Sequence, residues 1–412
     1  MAEIRPFKGV RPVPELSAQI AALPYDVYSS SEAKKIVEKN PLSFLKIDRA
    51  ETQFPEGTDM YSDPVYERAR DTLKEMKAEG QIIQDETPCL YIYELTMDGR
   101  SQRGLVCCAA VDDYLNRVIK KHENTREEKE FDRIRHVDIC SAHTGPIFLA
   151  YRSNKEIREK IMDATRQNPE YDFISEDGIR HRVWKMEEEE WTSDICGRFG
   201  ELDSLYIADG HHRAASAVKV ALKRRQENPG YTGKEEFNYF LAVLFDAAEL
   251  RIFDYNRVVH KVEHEVLEGL PEILKEGFQV EYKGKEEIRP QHKGEIAMYL
   301  KEGWYLLKAK EEICPEDAVR GLDVAILQDN VLAPILGIQD PKTDTRIQFV
   351  GGIRGLKELM NIVDGEKNAV AFAMFPTSMQ ELLAVADEGR LMPPKSTWFE
   401  PKLRSGLFIH EF

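Results

Sequence analysis

Apolar residues recur along this chain at two periods, and each change of period predicts a change of element. Over 63–79, Val65, Ala69, Leu73 and Met76 fall one helical turn apart, with Ser62 placed to cap the helix and Gly80 to end it. Ser29 to Glu32 fits a capping box for a short helix that stops near Asn40-Pro41. Apolar runs at 44–47, 89–96, 105–111, 147–151, 205–208, 369–374 and 407–409 read as strands. Those at 239–245 and 250–255 look like a core strand pair. Met97-Asp98-Gly99-Arg100 marks a hairpin turn, and Glu176-Asp177-Gly178 marks another. Helices are expected at 155–166, 188–199, 214–225, 317–336, 352–362 and 378–387, and a charged one runs from after Thr125 to about 139. Strands and helices alternate throughout, with hairpins and room for crossovers. This pattern predicts an α/β to α+β fold with mixed sheets.

The length, 412 residues, exceeds one simple core. The expected divisions are an N-terminal α/β region over 1–114, a central domain over 115–260 and a C-terminal α/β region over 261–412. The formal net charge of −16 opposes non-specific binding to nucleic acid or to an anionic membrane. A local basic pocket for a phosphorylated ligand is still compatible with it. The six cysteines form no CxxC pair, and the opening residues lack the apolar core of a signal peptide. No apolar run approaches a membrane span. Together these features predict a cytoplasmic protein with reduced thiols.

Candidate chemistry concentrates at Asp209-Gly210-His211-His212-Arg213. An apolar strand leads into this box and a helix leaves it, so free backbone N–H groups gather at the helix start. Such a turn binds anions, and His and Arg donors suit phosphate. The plainer reading is a tight turn in which Asp209 caps the helix and the His pair is solvated. A second candidate is Lys121-His122-Glu123-Asn124-Thr125. Glu123 in a loop before a helix suits a general base tuned by His122, while Thr125 or Asn124 equally suits a helix cap. His143-Thr144-Gly145-Pro146 forces a turn that can also line a pocket. Lys395-Ser396-Thr397, after two prolines, reads as an irregular segment packed under Trp398. Gly351-Gly352-Ile353-Arg354-Gly355 lacks the dinucleotide spacing and reads as close packing. No P-loop, zincin or nucleophile-elbow pattern occurs.

At its box the chain resembles the ParB/sulfiredoxin-like superfamily, and within it the ParB-like free-serine kinases, whose box also reads Asp-Gly-His-His-Arg. Over its whole length the chain is identified as a member of domain-of-unknown-function family DUF1015. That identification rests on Pro24-Tyr25-Asp26-Val27, Lys121-His122-Glu123-Asn124-Thr125, His143-Thr144-Gly145-Pro146, the box, and Met392-Pro393-Pro394-Lys395-Ser396-Thr397, in that order. The chain departs from chromosome-partitioning ParB proteins in its acidity and in lacking a helix-turn-helix pattern after the box.

The resemblance implies a central ParB/sulfiredoxin-like domain that transfers a phosphoryl group between ADP or ATP and a small hydroxylated metabolite, with L-serine/O-phosphoserine the first candidate. Gly210, His211, His212 and Arg213 would hold the nucleotide phosphates. Glu123 would be the general base. Asp209 would hold Mg²⁺ or fix the turn. His122, Thr125, Arg133, His143 and Thr144 would position the substrate. Two other readings stay open. One is a metal-dependent phosphatase or hydrolase using Asp209, His211, His212, Glu123 and His143. The other is a nucleotide-sensing regulator without turnover. The N-terminal region and the C-terminal third are candidates to cover the site or to form a homo-oligomer interface.

Overall fold

The computed structural model describes residues 1–125 and 127–412. It divides into two compact units, one of Met1–Leu250 with Pro401–Phe412 and one of Arg251–Glu400.

The first unit is organised by a nine-stranded mixed sheet. Its main strands are β1 (Leu90–Met97), β2 (Arg100–Ala110), β3 (Ile119–Lys120), β4 (Ile147–Tyr151), β5 (Tyr171–Ile174), β6 (Arg180–Met186), β7 (Leu205–Asp209) and β8 (Tyr239–Asp246). They lie side by side in the order β3-β7-β4-β8-β2-β1-β6-β5, and Ile4–Arg5 adds to β2. Every residue of β4 and β8 is buried, which explains their unbroken apolar runs. The β1–β2 hairpin turns through Asp98 (φ 51°) and Gly99 (φ 76°), both left-handed, as the Asp-Gly signal requires. Leu90, Leu105, Leu149, Ile207, Phe240 and Leu244 are among the residues of the sheet's main core.

Three helices pack in a row in this unit, α1 (Asp63–Ala78) against α2 (Glu127–Cys140) and α2 against α3 (His211–Glu227). The apolar stripe of α1 packs with Phe44, Ile47, Cys140 and Ile409 in a second core. The capping box at Ser29 and Glu32 is present at the start of Ser30–Lys39. All six cysteines are free thiols. Among the described residues, no helix is long and apolar enough to cross a membrane.

The second unit holds a six-stranded sheet of Tyr255–His260, Phe278–Gly284, Glu295–Leu300, Gly303–Ala309, Ile347–Gly351 and Ala369–Met374. Leu356–Gly365 packs on it through Leu356, Leu359 and Val363. A Cβ on Gly351 would meet the Trp398 ring at 2.9 Å, so the glycine cluster serves close packing.

Several expectations differ from the structure. Residues 44–47 contribute to a helical turn, Leu45–Asp48, not a strand. A run this short fits either period, and burial of Phe44, Leu45 and Ile47 against α1 decides it. The expected helix at 317–336 is broken into Asp323–Leu327 and a wider turn, Gln328–Leu332. Asp317 caps a tight loop around Gly321 instead, accepting from the N–H groups of Val319 and Arg320. β8 pairs with β2 and β4, not with 250–255, where Ile252–Phe253 pairs Trp398–Phe399. The final strand is His410–Glu411. The division expected near 115 falls inside one sheet, because β1 and β2 hydrogen-bond into the same array as β3, β4, β7 and β8.

Candidate functional site

β7 carries the box to its position. Its register against β4 shifts between Ile207 and Asp209, a bulge after which Asp209, the first residue of the box, still pairs with Phe148. Gly210 then turns the chain with φ 94° and ψ 31°, a conformation that favours glycine, and α3 starts at His211. Gly210 is the N-cap and no side chain caps the helix, so the plain capping role for Asp209 is not observed.

The Asp209 carboxylate instead receives Lys402 Nζ at 2.9 Å. Burial alone would raise its pKa; Lys402 and Arg213 outweigh this and hold it well below the usual carboxylate range. A lysine in contact already supplies the counter-charge, which does not suit the expected role of Asp209 as an Mg²⁺ ligand.

β3 runs parallel to β7, with Ile119 opposite Leu205 and Lys120 opposite Tyr206. Parallel neighbours exit at the same end of a sheet, so the Lys121–Thr125 loop emerges beside the box. The His122 and His211 rings meet edge to face with centroids 4.6 Å apart, and the His122 backbone N–H donates to His211 Nε2 at 3.5 Å. Burial pushes the His122 pKa down to about 4 and His211 well below its ordinary value. Both rings are neutral near pH 7, so His211 offers hydrogen bonding rather than cationic charge. Glu123 is half-buried in the same loop. The Thr125 hydroxyl donates to Glu130 Oε2 at 2.6 Å, and Glu130 pairs with Lys219, so Glu130 of α2 joins both Thr125 and α3. His212 is half-buried, and its carbonyl accepts from the Ser216 hydroxyl.

Beside the box lies a cavity of about 30 Å³ lined by residues that include Tyr25, Arg133, His143, Thr144, Arg213 and Ser405. Three motifs distant in sequence meet here. Arg213 folds back over Gly210 and donates to the Pro146 carbonyl. Arg133 is buried, bonded to Asp132 at 2.8 Å, and its guanidinium stacks 4.0 Å from the Tyr25 ring centroid. Burial raises the Tyr25 pKa to about 12, against the opposing pull of Arg133. Thr144 donates to Asp48 at 2.7 Å, and His143 Nδ1 lies 3.2 Å from His410 Nδ1. His143 and Thr144 therefore line this cavity with Arg133, whereas His122 belongs to the pair with His211.

Among the described residues, no three His, Cys, Asp or Glu side chains are gathered as a metal would need. His143 is held by His410, and the donor set of the metal-hydrolase reading is dispersed. Sequence reasoning missed Lys402, Ser405, His410 and Asp48. Pro401–Phe412 belongs to the first unit. No motif marks that return.

The family model DUF1015, described as a protein of unknown function, matches residues 4–325. The chain belongs to this family. No curated protein matches it. Similar solved structures include a free serine kinase variant in complex with ADP, at 15% identity and TM-score 0.35, covering 74% of this chain and 92% of that one. A C-terminally truncated SbnI from Staphylococcus aureus shows 12% identity and TM-score 0.38, over 74% and 87% of the two chains. A conserved hypothetical protein from Pyrococcus furiosus shows 15% and 0.35, over 74% and 94%.

Proposed function

We propose that this protein transfers a phosphoryl group between a nucleotide, ADP or ATP, and a small hydroxylated metabolite, L-serine being the first to test. The observation that supports this most is the parallel pairing of β3 with β7, which sets the Glu123 loop beside the Asp209–Arg213 turn. The α3 start offers backbone N–H groups, and Arg213 offers charge, to nucleotide phosphates. Neutral His211, together with His212, would add hydrogen bonds. Glu123 would take the proton of the acceptor hydroxyl as its oxygen–phosphorus bond forms and the bond from that phosphorus to the departing AMP or ADP breaks. Mg²⁺ would enter on the nucleotide phosphates and spread their charge, while Asp209 holds Lys402 and fixes the turn.

The test is a ³¹P NMR assay of purified protein with Mg²⁺, L-serine and either nucleotide, following phosphoserine. Wild type should form it. Glu123→Gln should lower the rate by on the order of 10²–10⁴-fold with nucleotide binding retained. Arg213→Ala should weaken nucleotide binding itself. Full activity in Glu123→Gln would remove the assigned base, and absence of nucleotide binding in wild type would overturn the reading.

A further inference from the structure

The first unit contains a cleft of about 760 Å³ that shares no lining residue with the cavity beside the box. Its walls come from the helix Ser30–Lys39, from residues between 18 and 23, and from the turn that joins β5 to β6. That volume suits an organic ligand of moderate size. Among its lining residues, Arg404, Ser43, Ala22 and Leu45 are buried, whereas Lys35, Lys39, Ile174 and Glu176 are exposed. The cleft therefore has an inner end and a mouth.

Arg404 belongs to the inner end and is 3% exposed. A guanidinium carries five N–H groups, and the fold uses three of them. Nε donates to His181 Nε2 at 3.3 Å, and Nη2 donates to Ser175 Oγ at 3.0 Å and to Asp177 Oδ2. Burial, and next Arg404, push the His181 pKa down to about 3, so that ring is neutral and can accept. These bonds hold the guanidinium in one orientation before any ligand arrives. Among the described residues Nη1 makes no hydrogen bond, and unspent donors on a buried cation are costly.

The other lining groups repeat the imbalance. Among the described residues, the Tyr28 hydroxyl and Lys35 Nζ also have no hydrogen-bond partner. Burial raises the Tyr28 pKa against the opposing pull of Arg404, so the phenol keeps its proton and can donate. The acceptors are taken: Asp177 by Ser175 and Arg404, Glu176 by Lys39, and Asn40 Oδ1 by the Leu42 N–H. Spare donors beside occupied acceptors call for acceptor oxygens on the ligand, and Arg404 with Lys35 calls for an anion. Glu176 and Asp177, in the same lining, oppose a second negative charge. A carboxylate meets both conditions better than a phosphate dianion. Ala22, Leu23, Ile36, Leu45 and Ile174 supply apolar wall for the rest of the molecule.

We propose that this cleft is a binding site for an apolar monocarboxylate, an alkyl or aryl body ending in one carboxylate, whose head meets Arg404 and Tyr28 and whose body follows the apolar wall toward Ile174. The site is independent of the phosphoryl-transfer chemistry, since none of the residues assigned to that chemistry lines it.

Isothermal titration calorimetry of the full-length protein tests it with octanoate, 1-octanol, acetate and octyl phosphate. Octanoate should bind at one site. 1-Octanol, which keeps the body and loses the charge, should bind on the order of tenfold more weakly. Acetate, which keeps the charge and loses the body, should bind on the order of a hundredfold more weakly. Octyl phosphate should also bind more weakly than octanoate. Arg404→Gln should abolish octanoate binding. Should that variant fail to fold, Ile174→Asp sets a carboxylate at an exposed position of the mouth and Tyr28→Phe removes one donor at a half-buried one. Each should weaken octanoate several-fold with an unchanged circular dichroism spectrum. No octanoate binding, 1-octanol or octyl phosphate binding as tightly as octanoate, or octanoate affinity unchanged in both Ile174→Asp and Tyr28→Phe would each overturn the proposal.

Discussion

Gly210→Ala probes the turn on which the site depends. Gly210 has φ 94°, and an added methyl there forces an L-residue into the left-handed region at about 1–2 kcal/mol. The new Cβ would also sit 3.1 Å from Arg213 Nε and 3.2 Å from Nη2. These atoms end a flexible side chain, so Arg213 would move rather than the backbone. Movement gives up its hydrogen bond to the Pro146 carbonyl, worth roughly 1.5–3 kcal/mol for a charged donor. The sum is about 2.5–5 kcal/mol, partly recovered where Arg213 finds water. Urea denaturation, read by a probe within the first unit, measures it as a lower midpoint at constant slope. Nucleotide affinity should fall in the same variant, because both the helix start and Arg213 are displaced. A loss below about 0.5 kcal/mol with unchanged affinity would refute the view that this turn is conformationally restricted and functionally coupled.

Acid should destabilise the first unit through His122. The unfolded ring takes a proton near its ordinary 6.5 and the folded one only near 4, so stability is lost as pH falls between these values, by on the order of 3 kcal/mol. His122→Asn should flatten that slope in urea titrations at pH 7 and pH 4.5; an unchanged slope would contradict the burial argument. Lys402→Met should raise the Asp209 pKa and cost about 1 kcal/mol near pH 7. Stability contributed by the depressed Asp209 pKa is present above the unfolded value and lost as pH falls, and ¹³C carboxyl NMR follows that shift directly. Arg11→Met removes a buried guanidinium bonded to Asp85 at 2.9 and 3.0 Å, to Glu170 and to Tyr171. It should cost about 3 kcal/mol, since Tyr91 and Lys185 still hold Asp85, and a change within 0.5 kcal/mol in urea would contradict the network.

Local chemistry determined much of this protein by itself. The Asp98-Gly99 turn, the capping box at Ser29 and Glu32, the stripe of α1 and the strand-to-helix turn at the box all depend on neighbours within a few residues. Each is legible because backbone geometry and side-chain period act over that range. The same locality explains the failures. Three apolar residues within 44–47 satisfy either period, and nothing near 317–336 announces that the loop at Gly321 outcompetes one long helix. Tertiary structure alone decided that β3 lies parallel to β7, which brings Glu123 beside a box more than eighty residues later. It also decided that Pro401–Phe412 returns to place Lys402 on Asp209 and His410 on His143. Such pairings are selected by the free energy of burying whole faces of a sheet, a quantity spread over the chain and written in no single motif.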